Sequence, residues 1–163
     1  MADELTEEET IKETKKHIDQ VAGYLALAIG ELHHKMNNHD QSKLESPELE
    51  DFMKYTSALK GLTYGSEEYK NSLKKMDNTI KHHHQHNRHH PEYFENGIDG
   101  MTLMDLTEMI CDWIAATKRH DDGDIEKSLK VNKDRFNINP QLLQILKNTV
   151  DSLEGATFLK GKM

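Results

Sequence analysis

The sequence predicts an all-α fold, and three observations carry that expectation. Apolar residues recur at three- and four-residue spacing along most of the chain, several stretches open on helix-capping residues, and only three prolines interrupt 163 residues. Hydrophobic content of 35% against 31% charged suits helices that keep a polar outer face around a modest core. A chain of this length is expected to form a single domain over 1–163, a bundle of about six helices.

Each element has readable ends. Thr6 to Glu9 reads Thr-Glu-Glu-Glu, a capping box, and opens a long helix with Ile11, Ile18, Val21, Leu25, Ile29, Leu32 and Met36 on one stripe. This helix is expected to be a core element. Ser46-Pro47 supplies an N-cap followed by proline at the first helical position, and Leu49, Phe52, Met53 and Leu59 carry a second helix towards Gly61. A third starts at Ser66, carries Tyr69, Leu73, Met76 and Ile80, and leads into a run of histidines before Pro91 ends or bends it. The segment from Pro91 to Gly100 is a loop by its glycines and Asn-Gly pair. Thr102, with Asp105 at the capping-box position, opens a helix whose apolar side is Met109, Ile110, Trp113 and Ile114. Two packing helices follow, one from about Ile125 to Phe136 and one opened by Asn139-Pro140 with Leu142, Leu143, Ile145, Leu146, Val150 and Leu153. Asp121-Asp122-Gly123-Asp124 lacks the spacing and terminal glutamate of a calcium loop, so a turn is expected there.

Composition excludes several functions. A net charge of −8 disfavours an extended nucleic-acid surface, because neutralising phosphates takes a basic face. No apolar run approaches the roughly 18 to 20 residues of a membrane span, and the acidic N-terminus does not resemble a signal peptide. The single Cys111 cannot form an internal disulfide, and its apolar surroundings suggest a buried thiol in a reducing compartment. A cytoplasmic location is expected. Tyr64, Phe158 or the C-terminal helix could supply a homo-oligomer contact.

The chemistry lies in the histidines. Six fall within nine residues, His82, His83, His84, His86, His89 and His90, with His17 and a His39-Asp40 pair upstream and Asp112 downstream. Imidazole is the commonest protein ligand for first-row transition metals, and a carboxylate can bridge two ions. A histidine tract alone is equally compatible with a surface scavenger. Helical spacing also limits how many can act together: His83 can align with Asn87 and His90, and His82 with His86 and His89, so two or three ligands are the expectation. Asp105, Glu108 and Asp112 fall at i, i+3 and i+7, which stacks three carboxylates on one face. That face is either solvated or, with Asp112 between Cys111 and Trp113, one that needs a cation.

The ordered set His17, His39-Asp40, one or two histidines from 82 to 90, and Asp112 resembles the HD superfamily of metal-dependent phosphohydrolases. HDQSK resembles the HD-x-G-K stretch of its HD-GYP branch, and HHPE followed by NG and DG resembles that branch's HHE-x-x-DG segment. Ser42 stands for glycine, Pro91 separates the histidine pair from Glu92, and GYP is missing, so cyclic di-GMP hydrolysis is not implied. The stretches HDQSK, GLTYGSEEY, NRHHPEYFENGIDG and CDWIAATKRHDDGD also resemble a family of short proteins from bacteriophages and bacteria, which implies no substrate.

The HD resemblance implies a helical domain with two divalent ions, drawn from Mn, Fe, Co, Ni, Mg and Zn. His17, His39, Asp40 and Asp112 would hold one, and Asp40 would bridge to a second on His83 and His89, with His82 and His90 as alternates. Metal-activated water would hydrolyse a small phosphoester, a nucleotide by resemblance. Lys43 and Arg88 would contact phosphate, Asn87 would sit beside the substrate, and Glu108 would move a proton or orient a ligand. The same ligand order also fits an HD-type di-iron oxygenase, and a metal-stabilised nucleotide-binding protein without turnover is a third expectation.

Overall fold

The computed structural model describes residues 5–60, 62, 66–119 and 123–155. Among them are seven α-helices and no strand: α1 (Glu7–Asn38), α2 (Glu48–Lys60), α3 (Glu67–Lys74), α4 (Asp77–His86), α5 (Leu103–Thr117), α6 (Ile125–Arg135) and α7 (Pro140–Gly155). Short 3-10 turns occupy Gln41–Leu44, Pro91–Tyr93 and Gly97–Gly100. The fold is all-α. No helix among these residues is long and apolar enough to cross a membrane. Tyr64 and Phe158 lie outside the described residues.

The chain divides into two compact units, Met1–Asn38 and His39–Met163. The first is α1. Its capping box forms as the sequence predicts: Thr6 N donates to Glu9 Oε2 at 2.9 Å, and Glu9 N donates to Thr6 Oγ1 at 3.3 Å. No residue of α1 is buried, where the apolar stripe predicts a core element.

In the second unit the core is Met109 and Ile110 of α5, Leu129 of α6, and Ile138, Leu146 and Val150 on or before α7. Burying each such side chain contributes about 1.5–3 kcal/mol. Trp113 and Phe136 lie nearly parallel beside this cluster, with ring centroids 6.2 Å apart. The helix starts are capped where the residues allow it. Thr102 and Asp105 form the reciprocal box of α5, Asp124 accepts from Glu126 N at 2.9 Å, and Asn139 accepts from Leu142 N at 2.9 Å. Each cap is worth about 1 kcal/mol.

Two further expectations change. The third predicted helix is two, because Met76 leaves helical dihedrals (φ −103°, ψ 13°) between α3 and α4. The restart buries Met76 and then Thr79 and His83, one turn apart on α4. Cys111 is exposed, not a buried thiol. It follows the two buried core residues Met109 and Ile110 and falls on the outer side of α5.

Candidate metal centre

The centre is built on a reversal of the chain at His39-Asp40. Asp40 adopts left-handed backbone angles (φ 58°, ψ 16°) at the head of the Gln41–Leu44 turn, a conformation that aspartate tolerates better than most residues. Lys43 N donates to Asp40 O at 2.9 Å and closes the turn. The carboxylate of Asp40 then faces two groups of donors. Its Oδ1 lies 3.2 Å from His83 Nε2 and 3.4 Å from His89 Nε2. Its Oδ2 lies 3.5 Å from His39 Nε2 and 2.5 Å from Lys43 Nζ.

α4 and α5 bring the remaining donors. His83 is on the buried side of α4, and the segment after that helix turns His89 and His90 inwards. Asp40, His83, His89 and His90 each offer one ligand atom to a cluster within 4.8 Å, and His39, Asp40 and Asp112 form a second, three-membered cluster within the same distance that shares Asp40. Glu108 and Asp112, one turn apart on α5, both face His39: Nδ1 is 3.0 Å from Glu108 Oε1 and Nε2 is 3.6 Å from Asp112 Oδ1. Asp105 does not join them. It is fully buried at the start of α5, where it caps Thr102 N and Oγ1, both at 2.9 Å.

Four buried atoms, Asp40 Oδ1 and the Nε2 atoms of His83, His89 and His90, make no hydrogen bond. Leaving such groups unpaired costs about 1–3 kcal/mol each. Because they converge on one point, a single cation would satisfy them together.

Electrostatics follow from the contacts. The carboxylates of Asp112 and Glu108 raise His39 to about 10, against the opposing effect of burial. Burial alone would raise Asp40, but Lys43 and the charged His39 beside it hold it well below the usual carboxylate range. Burial and the neighbouring His89 push His90 down to about 2, so this ring is neutral and free to donate a lone pair.

Two glutamates contact the outer nitrogens of the clustered imidazoles. Glu108 Oε1 stands 3.0 Å from His39 Nδ1 and 3.4 Å from His89 Nδ1. Glu48 is completely buried at the first residue of α2, with His83 Nδ1 at 2.9 Å, His82 Nδ1 at 2.8 Å and Ser42 Oγ at 3.0 Å. Glu48 is absent from the sequence-derived site. An acidic residue after Ser46-Pro47 looks like an ordinary helix-start acid, and no spacing rule links it to a histidine 35 positions away.

The other sequence candidates fall as follows. His82 contacts Glu48 and stacks on His86 at 4.0 Å between centroids, so among the alternates His90 and not His82 joins the Asp40 cluster. Asn87 donates to Ser42 Oγ and His83 O, both at 2.8 Å, and ties the end of α4 to the 3-10 turn. Arg88 gives its fork to Asp105, with Nη2 to Oδ2 at 3.0 Å and Nε to Oδ1 at 3.3 Å. That pairing anchors the His89-His90 segment to α5 and engages the nitrogens expected to reach phosphate. Lys43 Nζ pairs with Asp40 and lies 5.5 Å from the centroid of the Phe52 ring. His17 is exposed on α1, in the other unit.

A further cluster, His84, His90 and Glu92, lies beside the centre. Its carboxylate is engaged by Arg135 Nη2 at 2.5 Å, which disfavours a cation there.

No curated protein and no solved structure matches the chain. A family model matches residues 6–152, which include every residue of the centre, and the chain belongs to that family of unknown function, DUF5662.

Proposed function

We propose that the protein is a metal-dependent phosphohydrolase of the HD type, acting on a nucleotide or another small phosphoester. The observation that carries this reading is the convergence of Asp40 Oδ1 and three imidazole Nε2 atoms, buried and without hydrogen bonds, beside a second donor group that shares Asp40. One ion would be held by His39, Asp40 and Asp112, and the other by Asp40, His83, His89 and His90. His17 is assigned no role. A pair of divalent cations supplies Lewis acidity at phosphoryl oxygens and lowers the pKa of water from 15.7 towards about 7.

The chain's own groups have distinct tasks. Asp40 presents one oxygen to each donor group. Glu108 is spent on holding His39 and His89, which supports the orienting role and not the proton-transfer one. Lys43 is the cation nearest the shared carboxylate, at 2.5 Å, and suits a phosphate as a point charge. Arg88 keeps its ion pair with Asp105.

The test is release of phosphate or nucleoside from a panel of nucleoside mono- and triphosphates, with Mn(II), Co(II) and Ni(II) supplied separately. Turnover that disappears in Asp40→Ala, in a protein that still folds, is the expected result. Metal-loaded protein that binds nucleotides tightly but turns over none would overturn the proposal in favour of a binding protein.

A further inference from the structure

We infer that Glu48 is a positioning residue of the metal centre, fixing His83 in the tautomer that carries its proton on Nδ1 and points a bare Nε2 at Asp40. The inference rests on the metal-centre reading above. An ionised carboxylate only accepts hydrogen bonds, so the 2.9 Å contact from His83 Nδ1 to Glu48 Oε2 needs its proton on the imidazole. A neutral imidazole has one N–H, and placing it on Nδ1 leaves Nε2 as a lone pair. That Nε2 is buried, makes no hydrogen bond, and lies 3.2 Å from Asp40 Oδ1.

The opposite tautomer is disfavoured by the neighbours. Asn87 Nδ2 stands 3.0 Å from His83 Nδ1 and is the nearest amide donor to it. Its two hydrogens have partners elsewhere, Ser42 Oγ and His83 O, both at 2.8 Å. Ser42 Oγ itself donates to Glu48 Oε2 at 3.0 Å. A bare Nδ1 would face the Glu48 carboxylate lone pair to lone pair at 2.9 Å, and Ser42 Oγ, 3.2 Å away, could answer it only by giving up its own bond to Glu48. The bare Nε2 of the favoured tautomer faces Asp40 Oδ1 at the longer distance of 3.2 Å, where a cation held between them would satisfy both lone pairs.

The same carboxylate disposes of His82. Its Nδ1 proton goes to Glu48 Oε1 at 2.8 Å and its ring stacks on His86. Glu48 thus divides two adjacent histidines between different jobs, one as ligand and one as the outer side of its own support. Glu108 plays the matching part for His39 and His89 on the far side of Asp40. A carboxylate on the outer nitrogen raises the basicity of the inner one and fixes the ring plane, and its loss lowers metal affinity by about 10–100-fold.

Two measurements on the full chain test this. Long-range proton–nitrogen correlation NMR of chelator-treated protein at mildly alkaline pH, with His83 identified by its loss in His83→Asn, should show the proton on Nδ1. A proton on Nε2 would overturn the inference, whether or not any Glu48 variant folds. Co(II) titration followed by visible absorption should then show that Glu48→Gln, which offers one oxygen and one amide donor, weakens one ion about tenfold or more and leaves the other unchanged. Glu48→Asp should recover part of that loss, because the acceptor charge is restored. Wild-type protein that binds two ions, with unaltered affinities in Glu48→Gln, would overturn the role of Glu48 alone. Wild-type protein that binds no Co(II) would overturn the metal-centre reading beneath it.

Discussion

Metal binding at His39 should release a proton, and the structure says how much. Asp112 and Glu108 raise this imidazole to about 10, so at neutral pH the ring of the metal-free protein is almost wholly protonated on both nitrogens. Its Nε2, 3.5 Å from Asp40 Oδ2 and 3.6 Å from Asp112 Oδ1, cannot accept a cation until that proton leaves. Close to one proton per chain is therefore expected from His39, whereas His90, held neutral by burial, should contribute none. Apparent affinity at this position should rise about tenfold per pH unit between roughly pH 7 and pH 10. Calorimetric titration with Mn(II) or Co(II), in buffers of different ionisation enthalpy, counts the protons directly. Heats independent of the buffer, or an affinity flat over that range, would refute the argument that His39 is a charged partner of the two carboxylates.

The same shifts shape the stability of the metal-free protein. A histidine raised from 6.5 to about 10 contributes stability that is complete below pH 6.5 and lost as pH rises through about 10. His90, lowered to about 2, works at the other end: the unfolded chain takes its proton first, so stability falls as pH drops below about 6.5. Asp40 and Glu48, both held below the usual carboxylate range, add to that acid loss. Melting temperatures across pH should fall on both sides, and saturating metal should flatten the alkaline limb. Glu108→Gln should lower the His39 pKa and weaken metal binding by about tenfold or more, read by NMR titration and Co(II) binding. A wild-type His39 titration in that variant would contradict the contact. Arg88→Ala should reduce stability by about 1–3 kcal/mol in a chemical melt, because the buried carboxylate of Asp105 loses its guanidinium partner. A loss of turnover without a loss of stability would instead return Arg88 to the substrate.

Local signals made the helices legible. The boxes at Thr6–Glu9 and Thr102–Asp105 and the start at Asn139-Pro140 are short-range patterns in which a side chain answers a backbone donor a few residues away. The break at Met76 was not legible, since an apolar stripe continues across it and only burial of Met76 and His83 requires the turn. Of the site, His17, His39, Asp40, His83, His89 and Asp112 stand out as ligand types in a suggestive order; the structure brings His39, His83, His89 and Asp112 around Asp40, while His17 lies on α1 in the other unit. The choice of His90 over His82 depended on where the chain goes after His86, which helical spacing does not reach. Glu48 and the pairing of Arg88 with Asp105 are contacts between distant segments, 35 and 17 residues apart. No periodicity encodes them.

The centre itself is tested most directly by elemental analysis of protein purified without an affinity His-tag or added metal, with Asp40→Ala beside it. About two equivalents of a transition metal, lost in the variant, are expected from a carboxylate that serves two donor groups. Iron as that element would direct the next assay to oxygen consumption, and Mn, Co or Ni to phosphate release. A small content that is the same in both proteins would contradict the account and reduce the histidines to an ordinary polar tract.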